Sequence, residues 1–530
     1  MSSTRARVSL SCFLIMTVAC AMLLVVAPPP AEACGYSNWY LPEGCTSGNF
    51  DTYILLQNPT DGEKEASIRF LAEDSVTEPL EVDLPENSRT TVKIDDQPGL
   101  SDTSVATLVE ATGGIIVERA MYFNYEGTRA GGSNSIGAMQ TSRYWYLAEG
   151  YTGGEFDTYV LVMNPNEVPV DIEARFITPK EEEGAGREAN PYEPDPEPDP
   201  DQPYITKTYT IQPMRRLTIH VDDITGLGDT EVSTEIRSVA SGSGDEEVPG
   251  VVAERAVYFK YMGIDGGHCS IGAPRTSNTW YLPEGRTTGE FDTYVLVMNP
   301  NSSPTGVKAT FMVPSDGAGR DANPYEPEPE PEPDPDPDEL VVREYVLEPY
   351  ERFTIEVDKI TGLEENDVAT MIETFAVEAD GDGGAGCCNP VVVERAVYFA
   401  RGNDGDGHNT VGATTKHEYW MLAEGYTAGS FDTYVLIQNP NAYDVTVDAE
   451  FMTPEGDPIN KEYKVAAKSR KTILVDDIEG LESTEVSTKL RVRGEAEYEA
   501  ACSYGIIAER AMYFEYNGIM GGHCSLGVGE

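Results

Sequence analysis

The chain has 530 residues and carries 37 Lys and Arg against 91 Asp and Glu, a formal net charge of -54. At about 150 residues per domain this length predicts three or four domains. The charge repels nucleic acid and anionic membrane surfaces, excluding both as expected partners; it suits solubility, loose cation condensation or a basic partner.

The first element is a leader over residues 1–33. Arg5 and Arg7 make a basic start, an apolar run extends from Val8 to about Ala27, and Ala31-Glu32-Ala33 has the small-x-small form of a cleavage site. Export is the expectation, placing the chain outside the cell or on its surface. Two variants stay open: the apolar run approaches the length of a membrane span, and Cys34 after the cleavage site is a candidate for lipid attachment. No second apolar run follows, so no membrane span is expected in the mature chain, and Ser525 to Glu530 contains no sorting tail or anchor.

Self-similarity dominates the rest. Trp39, Trp145, Trp280 and Trp420 each open a block W-[YM]-L-[AP]-E-G, followed by F-D-T-Y and an apolar run ending in Asn-Pro. A V-D-D-like segment follows at Asp95-Asp96, Asp222-Asp223, Asp358-Lys359 and Asp476-Asp477. Then comes E-R-A-[MV]-Y-F, at Glu118-Arg119, Glu254-Arg255, Glu394-Arg395 and Glu509-Arg510, and finally a Gly-rich segment, GGSNSIG, GGHCSIG, DGHNTVG or GGHCSLG. The motifs define repeat 1 over 34–141, repeat 2 over 142–276, repeat 3 over 277–416 and repeat 4 over 417–530. Repeats 2 and 3 are longer because ANPYEPDPEPDPDQP and ANPYEPEPEPEPDPDPDE are inserted before strand-like segments; Pro alternating with acid cannot join a ladder and predicts solvated, extended loops.

Within a unit the pattern is β. Val170 to Phe176 and Arg216 to Val221 alternate apolar and polar residues. Seven or eight short strands per unit, separated by Gly, Pro, Asn and Asp, predict an all-β chain of four tandem Ig-like β-sandwich domains, arranged as beads on a string. A closed propeller ring is the alternative, although its blades are usually about 40 to 50 residues, smaller than these units.

In the E-R-A-M-Y-F strand Glu118 and Arg119 point to opposite faces, so each needs a partner from elsewhere. The repeated Asp51, Asp157, Asp292 and Asp432, and the W-block Glu43, Glu149, Glu284 and Glu424, are the candidates for a structural network with Glu118, Arg119, Glu254, Arg255, Glu394, Arg395, Glu509 and Arg510. The sharper alternative is a hydrolase site of paired carboxylates. Four intact copies and the lack of any G-x-S-x-G, H-E-x-x-H, P-loop or dinucleotide motif argue against an enzyme. His268, His408 and His523 share one register position, filled by Ser133 in repeat 1, and read as turn histidines rather than zinc ligands; His220 and His417 do not recur. No cofactor is expected unless calcium binds: Asp380, Asp382, Asp404 and Asp406 alternate with glycine as hard-oxygen candidates, without completing an EF-hand.

Outside the leader the cysteines are Cys34, Cys45, Cys269, Cys387, Cys388, Cys502 and Cys524. In an exported chain they predict disulfides. Register favours Cys502 with Cys524; Cys269 is left to Cys387 or Cys388 across repeats, a vicinal Cys387–Cys388 bridge is a further option, and Cys34 with Cys45 would staple repeat 1.

The ordered set W-Y-L-A-E-G-Y-T-x-G-x-F-D-T-Y, N-P-N, V-D-D and A-E-R-A-M-Y-F with G-G-H, over nearly all of residues 39–530, resembles tandem modules of exported actinobacterial surface proteins, in the family called DUF5719. The resemblance implies an extracellular β-rich module without catalytic residues. The functional expectation is a non-catalytic secreted or cell-surface interaction protein, binding cell-wall polysaccharide, another polymer or a surface protein by multivalency. A structural spacer or stalk comes second and a glycan-active hydrolase third. The four tryptophans with the Tyr or Met that follows each are candidates for a sugar platform, although core packing is the favoured use.

Overall fold

The structure is a computed structural model that describes residues 37–72, 75–179, 204–240, 248–261, 263–314, 340–377, 388–401, 404–454, 457–493 and 504–530. Cys34, Cys387, Cys502, Asp380 and Asp382, with most of both Pro-acid loops, lie outside those residues.

The described chain is all-β, in eight small antiparallel sheets, two to each repeat block. Repeat 1 shows the plan. Its strands are β1 (Ser37–Leu41), β2 (Phe50–Asn58), β3 (Lys64–Ala72), β4 (Leu80–Leu84), β5 (Ser88–Lys93), β6 (Val105–Ala111), β7 (Ile116–Tyr125) and β8 (Arg129–Ile136). One sheet runs β1-β6-β3-β4 and the other β5-β2-β7-β8. Between them lies a core of Trp39, Leu41, Ile54, Leu56, Ile68, Phe70 and Val109, residues set on one face of each strand by the period of two. Every later repeat repeats both strand orders. In repeat 4 an extra strand, Val528–Gly529, pairs with Tyr419–Leu422.

The tryptophans belong to these cores. Trp39, Trp145, Trp280 and Trp420 are 1–2% exposed, and Trp145, Trp280 and Trp420 donate to the main-chain oxygens of Val251, Val391 and Ile506. A buried indole offers no face to a sugar, so the platform reading is corrected.

The repeats are not beads on a string. β8 packs beside its counterparts in repeats 2 and 4, Ile264–Ile271 and Ile519–Leu526, and both of those pack beside the repeat 3 counterpart, Asp404–Val411. The four edge strands thereby close a ring. Each junction has the same build: Phe123 of repeat 1 meets Tyr258 of repeat 2 edge-on at 5.1 Å, Phe259 meets Tyr398 at 5.0 Å, Phe399 meets Tyr513 at 5.1 Å, and Phe514 returns to Tyr122 at 5.0 Å. This explains why β7 is buried on both faces along most of its length, whereas a strand of an isolated two-sheet unit keeps one face wet. An isolated repeat would leave both its Phe123-type and its Tyr122-type ring in water, a loss the cycle avoids.

Candidate functional site

The recurring charged residues lie at these junctions. β7 turns Glu118 and Arg119 to opposite sides, and each arginine reaches into the following repeat. Arg119 donates to both Glu254 oxygens at 2.8 and 3.0 Å; Arg255 reaches Glu394 at 2.6 Å, Arg395 reaches Glu509 at 2.6 Å, and Arg510 closes the cycle on Glu118 at 3.1 Å. The W-block glutamates add a second contact: Glu149 to Arg255 at 2.7 Å, Glu284 to Arg395 at 3.0 Å and Glu424 to Arg510 at 2.7 Å. In repeat 1 the Glu43 main-chain oxygen takes this place, at 3.0 Å from Arg119.

Each accepting glutamate also receives a main-chain N–H from the preceding W block. Glu43, Ala148, Glu284 and Ala423 donate to Glu254, Glu394, Glu509 and Glu118 at 3.1, 2.7, 2.9 and 2.8 Å. The glutamates and arginines of the cycle are at most 4% exposed. Burial raises the carboxyls of Glu43, Glu118, Glu394, Glu424 and Glu509, against the pull of the arginines. At Glu149 burial also pushes up, but neighbouring guanidinium charge, Arg255 first and Arg352 with it, outweighs it and the carboxyl falls below its ordinary value.

The F-D-T-Y aspartates stand apart from this cycle. Asp51 pairs with Lys93 at 2.5 Å, and Asp157 with Arg129 of repeat 1 at 2.7 Å; Asp292 lies near Glu356 and Lys359, and Asp432 near Asp476. The V-D-D aspartates hold the same strand by its backbone: Asp95, Asp222, Asp358 and Asp476 accept from Thr52, Thr158, Thr293 and Thr433 N–H at 2.7–3.0 Å. A second arginine set escaped the sequence reading. Arg89, Arg216, Arg352 and Arg470 reach back to the previous repeat, at Glu485 and the main-chain oxygens of Gly44, Ala148 and Gly285. Their signal was a fixed place six residues before each V-D-D aspartate.

At the centre of the ring, Asp406 accepts main-chain N–H groups from Gly132, Gly267, Gly407 and Gly522 at 3.0, 3.0, 2.8 and 3.3 Å, one from every repeat. Its own position is glycine in the other three repeats, and a Cβ at Gly131 or Gly521 would stand 2.6 or 2.7 Å from the Asp406 carboxylate. Burial drives the Asp406 carboxyl up while the four N–H groups oppose it. For Asp406 this corrects the calcium reading: it lies in a strand, 0% exposed, with its oxygens engaged by donors.

The shared histidines are also strand residues rather than turn residues. His268, His408 and His523 are 1–3% exposed. Burial lowers all three, His268 to about 4, so they stay neutral. Glu284, His408 and Cys524 bring ligand atoms within 4.8 Å of one another, but the Arg395 guanidinium already stands on Glu284 at 3.0 Å.

The disulfide expectation is corrected for every described cysteine: Cys45, Cys269, Cys388 and Cys524 are free thiols. Cys269 and Cys524 point into the junctions, with Cys269 Sγ 2.6 Å from Arg119; Asn134 holds the same register position in repeat 1 and donates to Glu424 at 2.8 Å.

No family model matches the chain, and no curated protein matches it. Among solved structures, Thermotoga maritima 1070 aligns at 10% identity over 22% of this chain and 97% of its own, with a TM-score of 0.19. A glycoside hydrolase family 32 protein from Bifidobacterium adolescentis aligns at 9% identity over 93% and 96%, with a TM-score of 0.14. A tetra-tandem repeat from the extending region of a large adhesion protein aligns at 10% identity over 89% and 93%, with a TM-score of 0.11. At these scores none bears on fold or function.

Proposed function

We propose that the chain is a non-catalytic, extracellular or cell-surface interaction protein, in which four Ig-like β-sandwich domains of the DUF5719 kind are locked into one body that engages a cell-wall polysaccharide or surface protein multivalently. One observation carries this reading: the glutamates and arginines that recur in all four repeats are spent on joining the repeats to each other. Their repetition is accounted for by assembly, so it does not call for four active sites. The recurring glutamates a hydrolase would use are buried, and Glu118, Glu254, Glu394 and Glu509 are bonded to arginine, which weighs against that alternative. A stalk of independent beads is likewise disfavoured by the ring of junctions. The outward surface then carries the ligand contacts, and fixed spacing among four similar edges favours avidity over tight single contacts.

The test is retention of the full chain on insoluble, purified cell-wall polysaccharide, alongside a purified surface-protein fraction, with and without calcium. A variant lacking residues 180–203 and 315–339 separates the acidic loops from the body. Saturable retention of both forms supports the proposal. Lack of retention on both materials, or release of soluble sugar over time, overturns it.

A further inference from the structure

In repeat 2 the half-exposed end of the sheet brings together Asp157 from the F-D-T-Y strand, His220 from the strand paired to it, and Asp222 from the V-D-D turn, with ligand atoms all within 4.8 Å of one another. His220 Nε2 is 3.6 Å from Asp157 Oδ1 and 3.5 Å from Asp222 Oδ2. These separations are too long for hydrogen bonds, and Nε2 has no hydrogen-bond partner although the atom is buried. They match the edge of a tetrahedron, about 3.4 Å when nitrogen and oxygen ligands lie about 2.1 Å from a shared zinc-like ion.

The surroundings orient the same three atoms. His220 Nδ1 lies 3.0 Å from Asp223 Oδ2, so with Nδ1 donating, the Nε2 lone pair faces the two aspartates, the carboxylate–histidine–metal arrangement of known zinc sites. The Thr158 N–H fixes Asp222 Oδ2 at 2.9 Å, Arg129 holds the other oxygen of Asp157 at 2.7 Å, and Tyr159 stacks on the imidazole with centroids 4.5 Å apart. Three carboxylates against one guanidinium leave two negative charges, which a divalent cation neutralises. Repeat 1 supplies an independent pointer: Lys93 replaces His220 there, and its ammonium lies 2.5 Å from Asp51, the counterpart of Asp157. Repeat 1 thus carries a cation of its own where repeat 2 carries a ligand.

We propose that Asp157, His220 and Asp222 form a site for one divalent transition metal of the zinc class, with Asp223 as the positioning residue and water completing the ion's shell on the exposed side. An imidazole ligand and so few oxygens disfavour calcium.

The test is titration of the chelator-stripped full chain with Zn2+ against a chromophoric competitor, with Ca2+ and Mg2+ as controls and Co2+ as a spectroscopic probe. Two substitutions borrow residues that the protein already uses at this position: His220→Leu copies Leu474 of repeat 4, and His220→Lys copies Lys93 of repeat 1. The expected result is one Zn2+ per chain, visible tetrahedral Co2+ bands without thiolate charge transfer, and a loss of affinity of about a hundredfold in both His220 variants. Asp223→Asn is expected to lose about tenfold. Metal-free variants melting with the metal-free parent exclude misfolding as the cause. Unchanged Zn2+ binding by His220→Leu, thiolate bands with Co2+, no binding tighter than millimolar, or equal competition by Ca2+ would each overturn the proposal.

Discussion

At the scale of single residues, the junction charges are costly to separate. Arg119 and Glu254 are both 0% exposed, and removing one member of a buried pair strands the other, at about 3–5 kcal/mol. Arg119→Ala is therefore expected to lower the unfolding free energy by that amount in denaturant titration, and Arg119→Lys to recover little of it, because an ammonium cannot fork onto both Glu254 oxygens. His268 sets a pH response. Its folded pKa, about 4, lies below the ordinary 6.5 because burial disfavours the imidazolium, so the unfolded chain binds more protons between those values. Stability from this group is complete above pH 6.5 and falls as pH drops towards 4, by an amount on the order of 3 kcal/mol. His268→Ser, which copies Ser133, is expected to flatten that part of a stability-against-pH curve; an unchanged slope would assign it to other groups. Thiol labelling offers a third check. Exposed Cys388 should react in the native protein, while Cys269 and Cys524, raised by burial, should react only after unfolding.

At the scale of elements, the Pro-acid loops interrupt a hairpin that is complete without them. Val170–Ile177 pairs in full register with Tyr204–Ile211, and in repeat 4 the corresponding strands, Val445–Met452 and Ile459–Val465, pair with only six residues between them. Replacing residues 180–203 with the repeat 4 turn is accordingly expected to shift the melting temperature by no more than a few degrees, since loop length enters closure entropy only logarithmically. These strands were legible in the sequence because alternation is a local signal, read from Val170-Asp171-Ile172-Glu173 without knowing what lies above the sheet. The same signal misleads in β7. Glu118 and Arg119 read as residues needing partners from another strand, with the F-D-T-Y aspartates and W-block glutamates as candidates, yet they pair with Arg510 and Glu254, 392 and 135 residues away. Charges are rarely fully buried, and only closure of the ring makes both faces of β7 interior. The metal-type cluster was hidden for a related reason: His220 does not recur, so counting repeats discounts it, whereas cross-strand pairing sets it beside Asp157.

At the scale of the whole molecule, four junctions of one design form a heterologous cycle, with one face of each repeat packed on a different face of the next. Every junction shares both its repeats with the ring, so loss of one leaves uncompensated charge at the next, and the chain is expected to unfold in a single transition by calorimetry. At the centre of the ring, Asp406 departs from four-fold equivalence. Since one carboxylate satisfies an N–H from each repeat and three further side chains at that level would collide, a single asymmetric residue serves the entire ring. Asp406→Gly restores the residue of the other repeats but leaves converging N–H groups without their acceptor, for an expected loss of about 3 kcal/mol. The same geometry predicts the behaviour of repeat 4 expressed alone. It owns both halves of a junction, Arg510 with Phe514 on one side and Glu509 with Tyr513 on the other, so identical copies can close the cycle the parent chain closes with four different ones. Residues 417–530 should therefore assemble as tetramers in sedimentation or native mass spectrometry, and Arg510→Ala should return them to monomers or unfold them. A stable, well-folded monomer would show that the repeats do not depend on their junctions, and would restore the picture of independent beads.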